Sequence, residues 1–228
     1  MSLKPLKKSE QKAAAKMAAR KRKNATVSML PEKILIISEG TKTEPNYFRG
    51  IANCINDKYR KYTQNKRVIC VEGTGCNTDG LYRYLDRNKT PEEMSEYQQI
   101  WLVYDKDDFP KDRFDNTEAK ARKTKGSNWH TAWSNESFEL WLLWHFQDYF
   151  ADTHRTEYVK LLKNHLQGYD KNDADIYKKV ITQGNVNDAI RRAKERIKYY
   201  ENQNIKTPSK MKAASTVYKL VEVLQSYL

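Results

Sequence analysis

The segment VYDKDDF at residues 103–109 closes an apolar run with three aspartates. In an extended strand, alternate side chains share one sheet face, so Asp105 and Asp107 sit together roughly 6–7 Å apart along the backbone. Two carboxylates at that spacing suit a hard divalent cation, because oxygen ligands neutralise the ion while retained waters touch substrate. Asp108 points away in ideal geometry unless a turn redirects it, and Lys106 lies on the opposite face. Glu39 ends a second apolar run, KILIISEG at 33–40, beside Gly40. Crevices form at the carboxyl ends of parallel strands, so Glu39 can meet Asp105 and Asp107 there from a neighbouring strand. Acids brought together repel one another, and Mg²⁺, with Mn²⁺ as substitute, removes that repulsion. Each acid alone reads as an ordinary turn or surface residue; the combination carries the metal reading.

The stretch AWSNESFELWLLWHF at 132–146 adds Glu139 and His145. Glu139 can assist a metal shell, and His145 can donate to phosphate or orient a carboxylate. His145 reads equally as a core histidine among Trp141, Leu142 and Phe146. Asn135 reads as the cap of the helix that follows. Lys42 can meet a phosphate at the turn after Glu39. Arg122, Lys123 and Lys125 form a basic patch suited to a nucleic-acid backbone without reading bases. Every one of these cations also reads as a solvated surface group. Trp129, Trp133, Trp141 and Trp144 flank apolar segments, which favours packing over base stacking. The GTGCN run at 73–77 lacks the Gly-Lys-Ser or Gly-Lys-Thr ending of a phosphate-loop ATPase.

Positioning these groups requires strands that end at one rim. The run 33–40 predicts a buried strand, and Thr43, Glu44 and Pro45 then predict a helix entrance. Tyr47, Phe48, Ile51 and Ile55 extend an apolar helical face. RVICVEG at 67–73 repeats the strand-then-glycine pattern, with a helix expected around Leu81, Tyr84 and Leu85. A third strand runs from near Ile100 to Asp108, a fourth covers Thr131 to Trp133, and a helix follows from about Phe138 to Phe146. Alternating elements predict an α/β fold, a mostly parallel sheet flanked by helices. Val186, Ile190, Ala193 and Ile197 mark one later helix; Ala214, Val217, Leu220, Val221 and Leu224 mark another. The expected organisation is a basic, flexible or conditionally helical arm over 1–30, an α/β core over 31–150 and a helical extension packed on it over 151–228.

The 228 residues carry 42 Lys and Arg against 29 Asp and Glu, a formal charge of +13. That excess favours a polyanion, DNA or RNA first and a membrane surface second. No transmembrane segment and no secretory leader are expected. Cys54, Cys70 and Cys76 are too few and irregular for a disulfide framework or a zinc site, which points to a reducing, cytoplasmic setting. Fifteen tyrosines and five tryptophans are enough for a core and are equally compatible with a homo-oligomeric interface.

Three stretches together, ILIISEGTKTEPNYF at 34–48, WLVYDKDDF at 101–109 and AWSNESFELWLLWHF at 132–146, resemble the RloB-like family of bacterial defence proteins, over about residues 33–226. The resemblance implies a Toprim-like core, in which a glutamate follows the first core strand and an Asp-x-Asp pair a later one; Glu39 and Asp105 with Asp107 match. It implies metal-dependent nuclease action on DNA or RNA, tRNA included, controlled by an ATPase partner encoded nearby. Toprim proteins also include topoisomerases and primases, for which the chain is short. A noncatalytic nucleic-acid-binding or regulatory subunit of a defence complex is the alternative, and a structural protein whose acidic edge merely tolerates a cation is a second.

Overall fold

The computed structural model describes Ser9, Lys12, Lys16, Met17 and residues 30–106, 111–125 and 128–228, without the side chains of Asp79, Lys111, Asp112, Arg113, Arg122, Thr124 and Lys125. Residues 1–31 and 32–228 are separate compact units. In the first, Ser9, Lys12, Lys16 and Met17 are helical; most of the expected basic arm lies outside the described residues.

The larger unit is an α/β fold around a five-stranded sheet ordered β2-β1-β3-β4-β5. The strands are β1 (Ile34–Ser38), β2 (Ile69–Gly73), β3 (Gln99–Asp105), β4 (Trp129–Asn135) and β5 (Ala214–Ser215). β1 pairs in parallel with β2 and β3, and β3 in parallel with β4, while β5 runs antiparallel to β4. The helices are α1 (Thr43–Tyr59), α2 (Thr78–Asn88), α3 (Pro91–Ser95), α4 (Lys111–Lys125), α5 (Glu139–Leu143), α6 (Arg155–His165), α7 (Ile176–Gln183), α8 (Val186–Asn202) and α9 (Val217–Gln225).

All five residues of β1 are buried because helices cover both sheet faces, which is why its sequence is continuously apolar rather than alternating. On one face, Ile34, Ile36, Trp101 and Val103 pack with Tyr47, Phe48, Ile51 and Ile55 of α1 and with side chains of α5 to α9. On the other, Leu35, Ile37, Ile100, Leu102 and Tyr104 pack with Leu81, Tyr82 and Leu85 of α2 and with Phe114 and Ala121 of α4. Helix starts are fixed locally. Asn77 accepts the Gly80 N–H at 2.9 Å, Thr90 and Glu93 form a capping box, and Asn185 accepts from Asn187 and Asp188, satisfying amides that a helix leaves orphaned.

The sequence periodicity misplaced several boundaries. The third strand, expected to run to Asp108, ends at Asp105. Ala214, expected in the last helix, belongs to β5; Thr216 N–H donates to Trp133 O at 2.8 Å and its hydroxyl accepts from Trp133 N–H at 3.0 Å. Completing the edge of β4 thus outweighs the helical pattern there. The helix expected over 138–146 is regular over Glu139–Leu143 and continues as a turn. Asn135 does not cap it. Its amide donates to Pro208 O and Ser209 O at 3.2 and 3.3 Å, tying β4 to the C-terminal part.

Gly73, at the end of β2, permits the close approach that shapes the carboxyl rim. A Cβ there would lie 2.7 Å from Gly40 O and 2.9 Å from Pro45 Cγ, backbone and ring atoms that cannot swing aside. Gly73→Ala is therefore expected to lower the unfolding free energy by about 1–3 kcal/mol, as overpacking does, with the secondary structure retained. Urea unfolding followed by circular dichroism measures this, and an unchanged midpoint would show that the rim yields freely.

Candidate functional site

The β1–α1 turn, the end of β3, the β4–α5 turn and the loop joining α6 to α7 enclose a cleft of about 390 Å³ at the carboxyl rim. Gly40, Thr41, Lys42, Thr43 and Glu44 form one wall, Asp105, Ser137, Phe138 and Glu139 another, and Arg155, Lys171 and Asn172 complete it. Ligand crevices in open parallel sheets form at this rim, beyond the carboxyl ends of the strands.

Each acidic group is held by its own local structure. Glu44 lies in the first turn of α1 and folds back against Gly40, where any Cβ would collide with the carboxylate. Asp105 Oδ2 accepts the Phe138 N–H at 3.0 Å, which locks the end of β3 to the turn after β4. Glu139 opens α5 with its side chain only 4% exposed, and its Oε1 faces Lys171 Nζ at 2.9 Å. Tyr169 reaches the same oxygen at 3.5 Å, a marginal hydrogen bond. Ser137 is buried, and its hydroxyl has no hydrogen-bond partner among the described residues.

The basic groups come from different elements. Lys42 is exposed and precedes α1, whose first turn has no capping side chain. The loop carrying Lys171 is pinned to α1: Thr43 Oγ1 donates to Lys171 O at 3.3 Å, and Asn46 Nδ2 donates to Asn172 O and Asp173 O at 3.3 and 3.2 Å. Burial pulls the Lys171 ammonium down, but the facing Glu139 carboxylate, with Asp105 adding to it and Arg155 opposing, holds it above the ordinary lysine value.

Glu39 follows β1 at the same rim as Asp105, and its N–H donates to Val103 O at 2.9 Å. The register pairs Ser38 with Val103, which puts Glu39 and Asp105 on opposite phases of the pleat. Their contacts agree. Glu39 Oε2 accepts from Thr78 Oγ1 at 3.1 Å on the α2 side, whereas Asp105 turns to Phe138 on the α5 side. Both lie at one rim of adjacent strands. Asp107 and Asp108 lie outside the described residues, as do the side chains of Arg122 and Lys125. Lys123 is exposed on α4.

The structure places His145 in the core rather than in the cleft. Its Nδ1 lies 3.0 Å from Trp141 O and its Nε2 lies 3.3 Å from Tyr47 OH, with the ring edge-to-face against both aromatic neighbours. Trp129, Trp133, Trp141 and Trp144 are buried as well, so none offers an open stacking face.

Glu44, Ser137, Arg155 and Lys171 were not singled out by sequence reasoning. Glu44 and Ser137 lie within the quoted stretches, where Glu44 read as part of a helix entrance and Ser137 carried no reading of its own. Arg155 and Lys171 belong to the helical C-terminal part and carry no motif.

The family model for RloB-like proteins matches residues 34–224. The chain belongs to the RloB-like family. No curated protein and no solved structure matches it. The matched span takes in every wall of the cleft, including Arg155 and Lys171. Among the described residues, no helix is long and apolar enough to cross a membrane.

Carboxylate oxygens are the ligand class that Mg²⁺ takes. Among the described residues, however, no three His, Cys, Asp or Glu side chains gather closely enough to hold a metal ion. By themselves these side chains do not make a magnesium site.

Burial lowers the His145 pKa from 6.5 to about 4, against two backbone hydrogen bonds that raise it. The folded state thus holds a neutral ring, while the unfolded chain binds a proton below about pH 6.5. His145 stabilises the fold fully above that pH, and the contribution is lost as pH falls towards 4, about 3 kcal/mol in all. Urea unfolding across this window should show a steeper loss for the native chain than for His145→Gln; equal slopes would place the acid sensitivity elsewhere.

Proposed function

We propose that this RloB-like chain is a nuclease of bacterial anti-phage defence that cleaves a phosphodiester of DNA or RNA, tRNA included, at the carboxyl-rim cleft. The observation that carries the proposal is the convergence there of Glu44, Asp105 and Glu139 with Lys42, Arg155 and Lys171. A cleft meant simply to attract polyanion would not hold buried carboxylates, and a purely structural acidic edge would not recruit three cations from three separate elements. A Toprim-related core, implied by the resemblance of residues 34–48 and 101–109, belongs to the same proposal, as does control by a partner ATPase.

In this reading Lys42, Arg155 and the uncapped start of α1 hold the phosphate, because helix N-termini and cationic side chains both favour anions. The carboxylates hold and deprotonate the attacking water, a task for a positioned base. Asp105 is suited to orientation because the Phe138 N–H fixes one of its oxygens. Glu39 serves from the other face of the rim. A requirement for Mg²⁺ or Mn²⁺ is part of the proposal, with Glu39, Asp105 and Asp107 as its ligands and Glu139 beside them. A noncatalytic, nucleic-acid-binding role is favoured by one observation, that Lys171 already neutralises Glu139.

Cleavage of plasmid, linear DNA and total tRNA separates the two, assayed with and without Mg²⁺, alone and after co-purification with any ATPase encoded beside the chain. Asp105→Asn, Asp107→Asn and Glu139→Gln should each reduce cleavage by about a hundredfold, the scale set by losing a positioned group, while nucleic-acid binding persists. Undiminished cleavage in the Asp105 and Glu139 variants would reject the nuclease assignment. Tight binding with no cleavage in any assembly would establish the noncatalytic role.

A further inference from the structure

Outside the cleft, α1 carries a polar face from one rim of the sheet to the other. Lys42, Arg49, Asn53 and Arg60 follow one another at seven, four and seven residues, spacings that fall on one side of a helix. All four are exposed. Lys42 lines the cleft, and Arg60 caps the far end of α1, about 27 Å away at 1.5 Å per residue. There the chain turns back towards β2 through residues 60–67. Arg60, Lys66 and Arg67 border a hollow of about 260 Å³ with Asn53, Asn65 and Asp57, and Lys61 is exposed beside it.

The charge of this surface is unanswered. Lys160 of α6 and Arg191 and Lys194 of α8 each face a carboxylate. Arg49, Arg60, Lys61, Lys66 and Arg67 have no ion pair among the described residues, and Asp57 is the single acid between residues 45 and 67. Lys58 and Arg60 suit the negative end of a helix, an effect confined to the last turn; Lys66 and Arg67 lie beyond it.

The turn that displays these cations is held by its own hydrogen bonds. Asn65 N–H donates to Arg60 O at 3.1 Å, Thr63 Oγ1 to Lys66 O at 2.8 Å and Arg60 Nε to Asn65 Oδ1 at 3.1 Å. Gln64 and Asn65 take φ of 53° and 63° within it, a conformation that costs a residue with a Cβ. Charges on a pre-formed scaffold lose less freedom when a ligand binds. Tyr62, in the same turn, is 58% exposed, and an open aromatic face beside cations is what an unpaired base stacks on. The buried tryptophans offer none.

We infer that the polar face of α1 and the turn 60–67 form a track for the phosphate backbone of a nucleic-acid strand, running from the cleft to the amino rim of the sheet, with Tyr62 stacking on an unpaired base. This rests on the reading of the cleft as a nucleic-acid site. At 3.4 Å per phosphate in a helical strand, about eight phosphates span the track.

The test is fluorescence anisotropy of a labelled single strand of about twenty nucleotides, long enough to cover cleft and track, titrated with the full chain over a range of salt. The triple variant Lys61→Gln, Lys66→Gln, Arg67→Gln should bind about a hundredfold more weakly at about 0.1 M salt, roughly fivefold per phosphate contact, and the slope of log affinity against log salt should become shallower by about 2. Lys160→Gln, Arg191→Gln, Lys194→Gln removes the same formal charge and should weaken binding by about threefold at most, since distant exposed charges are screened. Tyr62→Ala should cost about tenfold. Equal losses in the two triple variants would overturn the track and leave net charge as the whole attraction. Loss of binding to phosphatidylserine vesicles in the turn variant, without loss on the single strand, would overturn it in favour of a membrane surface. Weakening by Arg155→Gln but not by the turn variant overturns the track and leaves the cleft reading standing; weakening by neither overturns both.

Discussion

A side chain at the end of a pleated strand has two directions open to it, and in this protein both are already occupied by helices. The sheet is covered on each face, so an acid at the carboxyl rim enters either the α1 and α5 side or the α2 side. Parity along the strand decides which. Asp105 shares the phase of Trp101 and Val103 and so faces Phe138; Glu39 shares the phase of Leu35 and Ile37 and so faces Thr78. The cleft exists where the first phase opens between the β1–α1 and β4–α5 turns.

That geometry sets the electrostatics. Three carboxylates line one cleft, an arrangement unfavourable without positive charge. The chain supplies it from distant places: Lys42 before α1, Arg155 at the start of α6 and Lys171 on the loop after α6. Because Glu44 and Glu139 are buried and Lys42 and Lys171 are exposed, the cleft keeps fixed acceptors below and adjustable donors above.

Much of this was legible in the sequence, and the illegible part has a physical cause. Continuous apolar runs ending in acid or glycine located β1, β2 and β3, since buried parallel strands leave little else for those residues to be. The rim position of Glu39 and Asp105 followed from those ends. Which face of the rim each acid takes was not legible, because it depends on the pleat phase each occupies relative to its neighbour, and that is set by an inter-strand register. α4 was missed because its charge-rich sequence carries no apolar stripe beyond Phe114 and Ala121. Ala214 was misassigned because a short apolar window fits a two-residue edge strand and a helix start equally well. His145 read both as a functional group and as a core residue, and its burial is fixed partly by Tyr47, 98 residues away in sequence.

Arg155 and Lys171 were invisible for a deeper reason. A lone basic residue in a helical segment has no distinguishing neighbourhood until the segment folds back, and here α7 packs on α1 through Tyr177, which sits against the position a Gly50 Cβ would take. That packing brings the preceding loop over the start of α1. The C-terminal helices therefore contribute twice: α6 to α9 fill the core on the α1 side of the sheet, and the segment between α5 and α7 supplies two of the three cations of the cleft. Treating residues beyond 150 as decoration of a self-sufficient core would remove the charges that make buried carboxylates tolerable at the rim. The match of the family model through residue 224 spans this whole arrangement, core, cleft and counter-charges alike.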